Sequence, residues 1–275
     1  MPTTHNSLPI IYPKHINLFL QCPERYFHER VERQKIDQPF SPALTKGIAL
    51  HHILNDAAIE HRRQGTVPAN LRERAEALVP RSPYPSDLAW NSDVEAIVEQ
   101  VKYGISYLDG KARVLASETT YQYPYQRGQG CPPFILAAKV DLVLLRRDAE
   151  GQPYLDVVDF KSGASLKADA IQELAGLIVV NKNADRRFAI PYTYIQNTTV
   201  YVGAGAVRSE VLDDEECGRR WNQSKQVVKA IIEGSDWAPN PSPLCEWCPF
   251  FNNGCSLTVE DGDDDLREWL DRVAD

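Results

Sequence analysis

Lys139-Val140-Asp141-Leu142-Val143 and Val157-Val158-Asp159-Phe160-Lys161, separated by the turn Asp148-Ala149-Glu150-Gly151-Gln152-Pro153, read as two strands of one sheet. Their Val, Leu and Phe content suits strands set in a core, and the Gly and Pro of the intervening segment suit a reversal. Side chains two apart on a strand share a face. Asp159 and Lys161 therefore point together while Phe160 points into the core. Seventeen residues separate Asp141 from Asp159. That is room for two paired strands and a turn, so the two carboxylates could converge at neighbouring strand positions.

Outward from this pair the pattern predicts an earlier strand over 114–125, followed by strands 134–145 and 154–161 in an antiparallel meander. Helical spacing of apolar residues predicts helices over 14–31, 44–63, 70–78 and 86–108, with breaks at the proline-containing segments 38–42 and 80–85. Beyond the meander come a helix over 168–181, strands 189–202 and 206–212, and a helix over 213–234 with Asp213 as its cap. A cysteine-bearing loop and a short acidic helix follow. The expected class is α/β, a mixed central sheet flanked by helices. One domain, 1–275, is expected to contain an N-terminal helical region (1–112), a core (113–234), a cysteine module (235–259) and an acidic tail (260–275).

Composition sets outer bounds. The chain has 275 residues, 43% hydrophobic and 25% charged, an ordinary globular balance. No apolar run reaches the ~18–20 residues of a membrane helix. Residues 1–14 lack a basic patch followed by an apolar core, so no secretory signal is expected and a soluble, cytoplasmic protein is. The net charge of −8 does not favour nucleic acid. However, of 30 bases and 38 acids, two and eight fall within residues 260–275. The remainder is close to neutral and can present a basic face, to which bound cations would add.

Two carboxylates converging beside a lysine suit a hard divalent cation such as Mg²⁺, which keeps several waters and bridges to phosphate oxygens. Lys161 could then orient or deprotonate the water, or stabilise the charge that develops on phosphorus. A lone Asp-x-Lys on a strand edge is common. Here the apolar strands around it make unpaired charges costly. His51 and His52 sit on the predicted helix 44–63, and Gly47 and His51 share a face of it. The glycine leaves room for another backbone to approach on that face. A half-buried and a solvent-facing histidine is the plainer reading of that pair.

Taken together, Gly47-x-x-x-His51 on a helix, a strand Asp141, and Asp159-x-Lys161 followed by Ser162-Gly163 resemble the PD-(D/E)XK nuclease superfamily, in its RecB-like branch. The resemblance implies a restriction-endonuclease-like core. It further implies His51, Asp141, Asp159 and the Phe160 carbonyl as ligands of Mg²⁺ or Mn²⁺, with Lys161 as the catalytic lysine. Glu118, on the preceding strand, supports the site without matching a firm motif. Ala138 stands where the family often has glycine. The branch often carries Gln-x-x-x-Tyr on the next helix, facing site and DNA. Gln172 is present as a candidate substrate-binding residue, but Gly176 replaces the tyrosine.

Six cysteines lie at 22, 131, 217, 245, 248 and 255. Cys245-x2-Cys248-x6-Cys255 supplies three thiolates, one short of a closed four-ligand site. On spacing alone Cys22, Cys131 and Cys217 are all candidates for the fourth. The Cys22-Pro23 context, with its basic and aromatic neighbours, resembles iron–sulfur members of the same branch, including CRISPR-associated exonucleases and AddB-type subunits. That resemblance selects Cys22, Cys245, Cys248 and Cys255 for a 4Fe–4S cluster, with zinc as the alternative. The implied activity is a metal-dependent DNA exonuclease acting on single strands or ends, in CRISPR adaptation or repair. Its implied partners are DNA and CRISPR adaptation proteins or a separate helicase chain, since no G-x-x-x-x-G-K-[ST] motif is present. A DNA-end-binding scaffold with little catalysis is the alternative.

Overall fold

The structure is a computed structural model that describes residues 8–35, 40–66, 68–108, 112–126, 130–163, 165–166, 169–234, 237–251 and 253–257. The expected acidic tail and its helix lie outside the described residues. A mixed sheet runs β1 (Ile10–Ile11), β3 (Phe134–Arg147), β4 (Pro153–Lys161), β5 (Tyr194–Tyr201), β6 (Ala206–Glu210), and β2 (Arg113–Tyr125) also pairs with β3. β3 and β4 are antiparallel, as the meander requires, with Leu142 opposite Val158. β4 and β5 are parallel, with Asp159 opposite Thr199, and β5 and β6 are antiparallel. A parallel pair needs a long crossover, and the helix 170–187 between β4 and β5 supplies it. The fold class is thus α/β, a mixed sheet with flanking helices and a helical N-terminal region.

The chain divides into two compact units: residues 1–38, 124–135 and 220–275, and residues 39–123 and 136–219. The first holds α1 (Pro13–Gln21), α2 (Pro23–Tyr26) and a π-helical turn (Phe27–Val31). The single helix expected over 14–31 is therefore broken. Cys22 is extended at φ −161° because Pro23 disfavours helical backbone in the residue before it. The Cys22 sulfur then caps α2 by accepting the Arg25 N–H at 3.4 Å. Phe19, Tyr26 and Phe27 surround Trp237 at ring separations of 6.0, 5.9 and 5.4 Å. Asn240 donates to the Gln21 carbonyl at 3.0 Å. These contacts tie residues some 220 apart in sequence, a closure whose entropy must be offset by packing or a shared ligand.

In the second unit, α3 (Pro42–Gln64) starts at Ser41, which accepts the Leu44 N–H, and stops at Gly65, left-handed at φ 68°. Ser-Pro at the start and glycine at the end are the expected boundary signals. α4 (Leu71–Leu78) and α5 (Asp87–Ser106) follow. Leu50, Ile53, Val94 and Ile97 from α3 and α5 pack with Leu142, Leu144, Val158 and Phe160 from the sheet, all nearly fully buried. α6 (Ala170–Arg187) runs six residues past the expected end. Its last turn is polar, which hides the period, but Arg186 and Arg187 there complement the helix dipole. β5 likewise starts at Tyr194 rather than 189. α7 (Asp214–Glu233) begins after Asp213, which accepts the Glu216 N–H at 2.8 Å, and from residue 220 onward it belongs to the first unit.

Candidate active site

The site lies in the second unit, where α3, β2, β3, β4 and α6 meet. The β3–β4 register continues to place Asp141 opposite Asp159, and Asp141 Oδ2 accepts the Phe160 N–H at 2.9 Å. The Phe160 ring is buried in the core. Asp159 and Lys161 share the other face, with Lys161 Nζ 2.9 Å from Asp159 Oδ2. Asp169 caps α6 by accepting the Gln172 N–H at 2.9 Å, which fixes Gln172 in the first turn. Gln172 Nε2 then donates to Asp159 Oδ1 at 2.5 Å, while its Oε1 accepts from Lys161 Nζ at 3.0 Å. Buried Thr199, on β5, donates to Glu173 at 2.8 Å and pins the same turn of α6 to the sheet.

His51 Nδ1 lies 3.4 Å from Asp141 Oδ2 and 3.6 Å from Glu118 Oε1. The ligand atoms of His51, Glu118 and Asp141 lie within 4.8 Å of one another, and among the described residues no other His, Cys, Asp or Glu group of three meets that spacing. An imidazole nitrogen with two carboxylates suits a divalent cation that accepts mixed N,O ligands, Mn²⁺ more readily than Mg²⁺. Asp159 is not in that group and is held by Lys161 and Gln172 instead. The observed cluster thus shares His51 and Asp141 with the expected ligand set and adds Glu118, while Asp159 lies outside it and the Phe160 carbonyl is not among the side-chain ligands that form it. His52 lines the same cleft as His51.

Glu118 also stands out by its backbone, at φ 47° within β2. Non-glycine residues in that region cost on the order of 1–3 kcal/mol and concentrate at functional sites. Its second oxygen pairs with Lys139. In sequence, the signal was the one acid of its strand, set between Ser117 and Thr119.

The electrostatics follow from this crowding. Burial, and then the charge of Asp141, push the Asp159 carboxyl up to about 6, against the pull of Lys161. Burial works against a charged His51, but Asp141 and Glu118 outweigh it and raise its pKa to about 10. Burial likewise opposes the charge on Lys161, and Asp159 holds its pKa above the usual value. Burial would raise Glu118, yet His51 and Lys139 hold it below the usual carboxylate range. The site balances three acids against three bases.

Glycines frame it. A Cβ at Gly203 would collide with the backbone carbonyls of Ser162 and Gly163, so Gly203 is what lets the segment after Lys161 lie close. A Cβ at Gly47 would meet only Ser162 Oγ at 3.5 Å, an ordinary contact, so the expected backbone approach at Gly47 is not what that glycine serves. A Cβ at Gly176 would face Val157 at 3.6 Å and Val140 at 3.9 Å on the sheet.

In the first unit, Cys22, Cys245, Cys248 and Cys255 line one small cavity. Cys245 Sγ accepts the Ser242 N–H at 3.4 Å. Cys255 donates to Glu24 Oε2 at 2.9 Å, and burial with that contact pushes its thiol up to about 12. No three of the sulfurs meet within 4.8 Å, whereas four thiolates on one zinc stand about 3.8 Å apart. Cys131 is buried elsewhere, its sulfur 3.7 Å from the Lys225 carbonyl.

No helix among the described residues is long and apolar enough to cross a membrane. No curated protein matches the sequence. Among solved structures, one titled "Crystal structure of SSO0001" is similar at 12% identity and a TM-score of 0.38, over 94% of this chain and 90% of that one. The family model described as the PD-(D/E)XK nuclease superfamily matches residues 13–252. The chain belongs to the PD-(D/E)XK nuclease superfamily.

Proposed function

We propose that the protein is a Mg²⁺- or Mn²⁺-dependent deoxyribonuclease of the RecB-like branch that hydrolyses phosphodiester bonds, as an exonuclease on single strands or ends. The observation that carries this reading is the His51–Glu118–Asp141 cluster standing beside the Asp159–Lys161–Gln172 network. A divalent cation held by His51, Glu118 and Asp141 would acidify water and screen phosphate charge. Asp159 and Gln172 hold the Lys161 ammonium in place. From there Lys161 orients the attacking water or stabilises charge on the phosphoryl oxygens. Gln172, with its hydrogen bonds to both ends of Asp159-x-Lys161, positions the pair.

The four cysteines around one cavity support a cluster-bearing module, with 4Fe–4S the proposed occupant on the branch resemblance and zinc the alternative. The branch resemblance supports a role in trimming DNA for CRISPR adaptation or in repair, with adaptation proteins or a separate helicase as partners. The second reading, a DNA-end-binding scaffold, draws on Gly176 in place of the branch tyrosine. End-labelled single- and double-stranded DNA incubated with anaerobically purified protein in Mg²⁺, Mn²⁺ or chelator separates the two. Metal-dependent shortening supports the nuclease, and binding without shortening supports the scaffold.

A further inference from the structure

A second cavity in the same unit runs along the outer edge of β2, which among the described residues pairs only with β3. His61 and Arg62 at the end of α3, Arg113 on β2 and Arg187 at the end of α6 line it, and no acid does among the described residues. Arginines in last turns complement helix dipoles, which accounts for two of these bases but not for Arg113 on a strand.

Two of the three arginines are held in place without being neutralised. Arg62 donates to the Leu115 carbonyl at 3.3 Å, and the Arg187 guanidinium lies 5.1 Å from the Tyr121 ring centroid. Neither pairs with a carboxylate among the described residues. A guanidinium has five N–H donors, so each keeps most of them for a ligand. The Tyr121 hydroxyl, on the cavity wall, is buried and has no hydrogen-bond partner among the described residues. The cavity is therefore a cationic groove with two anchored guanidinium groups, and charge complementarity asks for a polyanion.

The groove adjoins the site cleft. Asn55 lines the cleft with His51, Ser117 lines the groove, and Ser117 donates to Asn55 at 2.6 Å. α3 forms a wall of both. The eleven steps along α3 from His51 to Arg62 span about 16 Å at 1.5 Å each, or about five nucleotides at the 3.4 Å rise of a duplex strand. We propose that this groove binds the phosphodiester backbone of the DNA strand about five nucleotides from the phosphate being cleaved. The inference rests on the nuclease reading above and adds where the strand lies.

The test compares wild type, the triple variant Arg62→Gln/Arg113→Gln/Arg187→Gln, and the matching triple lysine variant. Binding of a labelled single strand of about 20 nucleotides is followed in chelator by anisotropy, from about 50 to about 200 mM salt. Losing three phosphate contacts should lower the slope of log affinity against log salt by about 2, at about 0.7 per contact. Affinity at the lowest salt should fall about tenfold or more, and the lysine variant should recover most of both. Cleavage of a trinucleotide, too short to reach the groove, should be unchanged. If the triple glutamine variant melts early, the single variants are read instead, each expected to lower the slope by about 0.7. Wild-type cleavage with an unchanged slope in the glutamine variants overturns the groove alone. Wild-type binding without cleavage in either metal overturns the nuclease reading, and the slopes then judge the groove separately.

Discussion

Gln172 donates from Nε2 to Asp159 Oδ1 at 2.5 Å, across the gap between the first turn of α6 and the end of β4. The same side chain accepts from Lys161, so one amide fixes both functional groups of Asp159-x-Lys161. On the proposed nuclease reading, neither charge has to find its place when substrate arrives, and such pre-organisation is where electrostatic catalysis draws its strength.

Gln172→Ala should accordingly lower kcat by about tenfold to a hundredfold while changing KM little, since supporting contacts to active groups typically carry that weight. Steady-state kinetics on a fixed oligonucleotide checks this. Gln172→Glu adds a negative charge beside Asp159 and should raise the pH at which activity appears. A KM effect alone would recast Gln172 as a substrate contact.

Glu118→Gln should weaken Mn²⁺ binding by at least about tenfold in calorimetry, because it takes one carboxylate from a three-ligand cluster. It should also lower the His51 pKa, visible in the imidazole shifts on NMR titration, since Glu118 is one of two carboxylates that hold it up. Unaltered Mn²⁺ affinity would return the role to Asp159.

The pH dependence of stability in chelator follows from two raised pKa values. Asp159 binds its proton more tightly folded than unfolded, so its contribution is full below about 3.8 and is lost as pH rises through about 6. His51 contributes fully below about 6.5 and loses that contribution as pH rises through about 10. Both terms fall with rising pH, so melting temperature should decline across each window. Asp159→Asn should flatten the lower one and His51→Gln the upper. Cation binding must displace the His51 proton, so Mn²⁺ should raise the melting temperature more at pH 8 than at pH 6.

Much of this site was legible because strand alternation has period two. It put Asp159 and Lys161 on one face and Phe160 in the core, and the register of β3 with β4 carried Asp141 alongside. The Gly47-x-x-x-His51 spacing put the two residues on one face of α3, and the family resemblance singled out His51, but the close backbone approach belongs to Gly203, after β5. No local pattern tells which distant loop a glycine must admit. Glu118 was visible as a residue, but its left-handed backbone and its place beside His51 depend on how α3 lies over β2. The break at Cys22 was written in Pro23 and was overridden by the helical spacing of the aromatic residues around it. The distance between the cysteine sulfurs is likewise a property of the fold, which sequence spacing does not encode.

Cys22→Ser should lose iron and colour after anaerobic purification and lower the melting temperature markedly, because a ligand set that closes a loop of some 220 residues couples binding to folding. Cys131→Ser and Cys217→Ser should lose neither. Metal analysis with an absorption spectrum decides it. A normal cluster in Cys22→Ser would assign the fourth ligand elsewhere. Stoichiometric zinc without iron would keep the four cysteines and remove the iron–sulfur proposal.

The most direct test of the whole account is end-labelled DNA cleavage by wild type, Asp159→Ala, Lys161→Ala and Asp141→Asn, each shown to be folded by circular dichroism. Wild type should cleave with Mg²⁺ or Mn²⁺ and not with chelator, and each variant should lose at least about a hundredfold of that rate. Near-normal cleavage by folded Asp159→Ala and Lys161→Ala would contradict the assignment of this site.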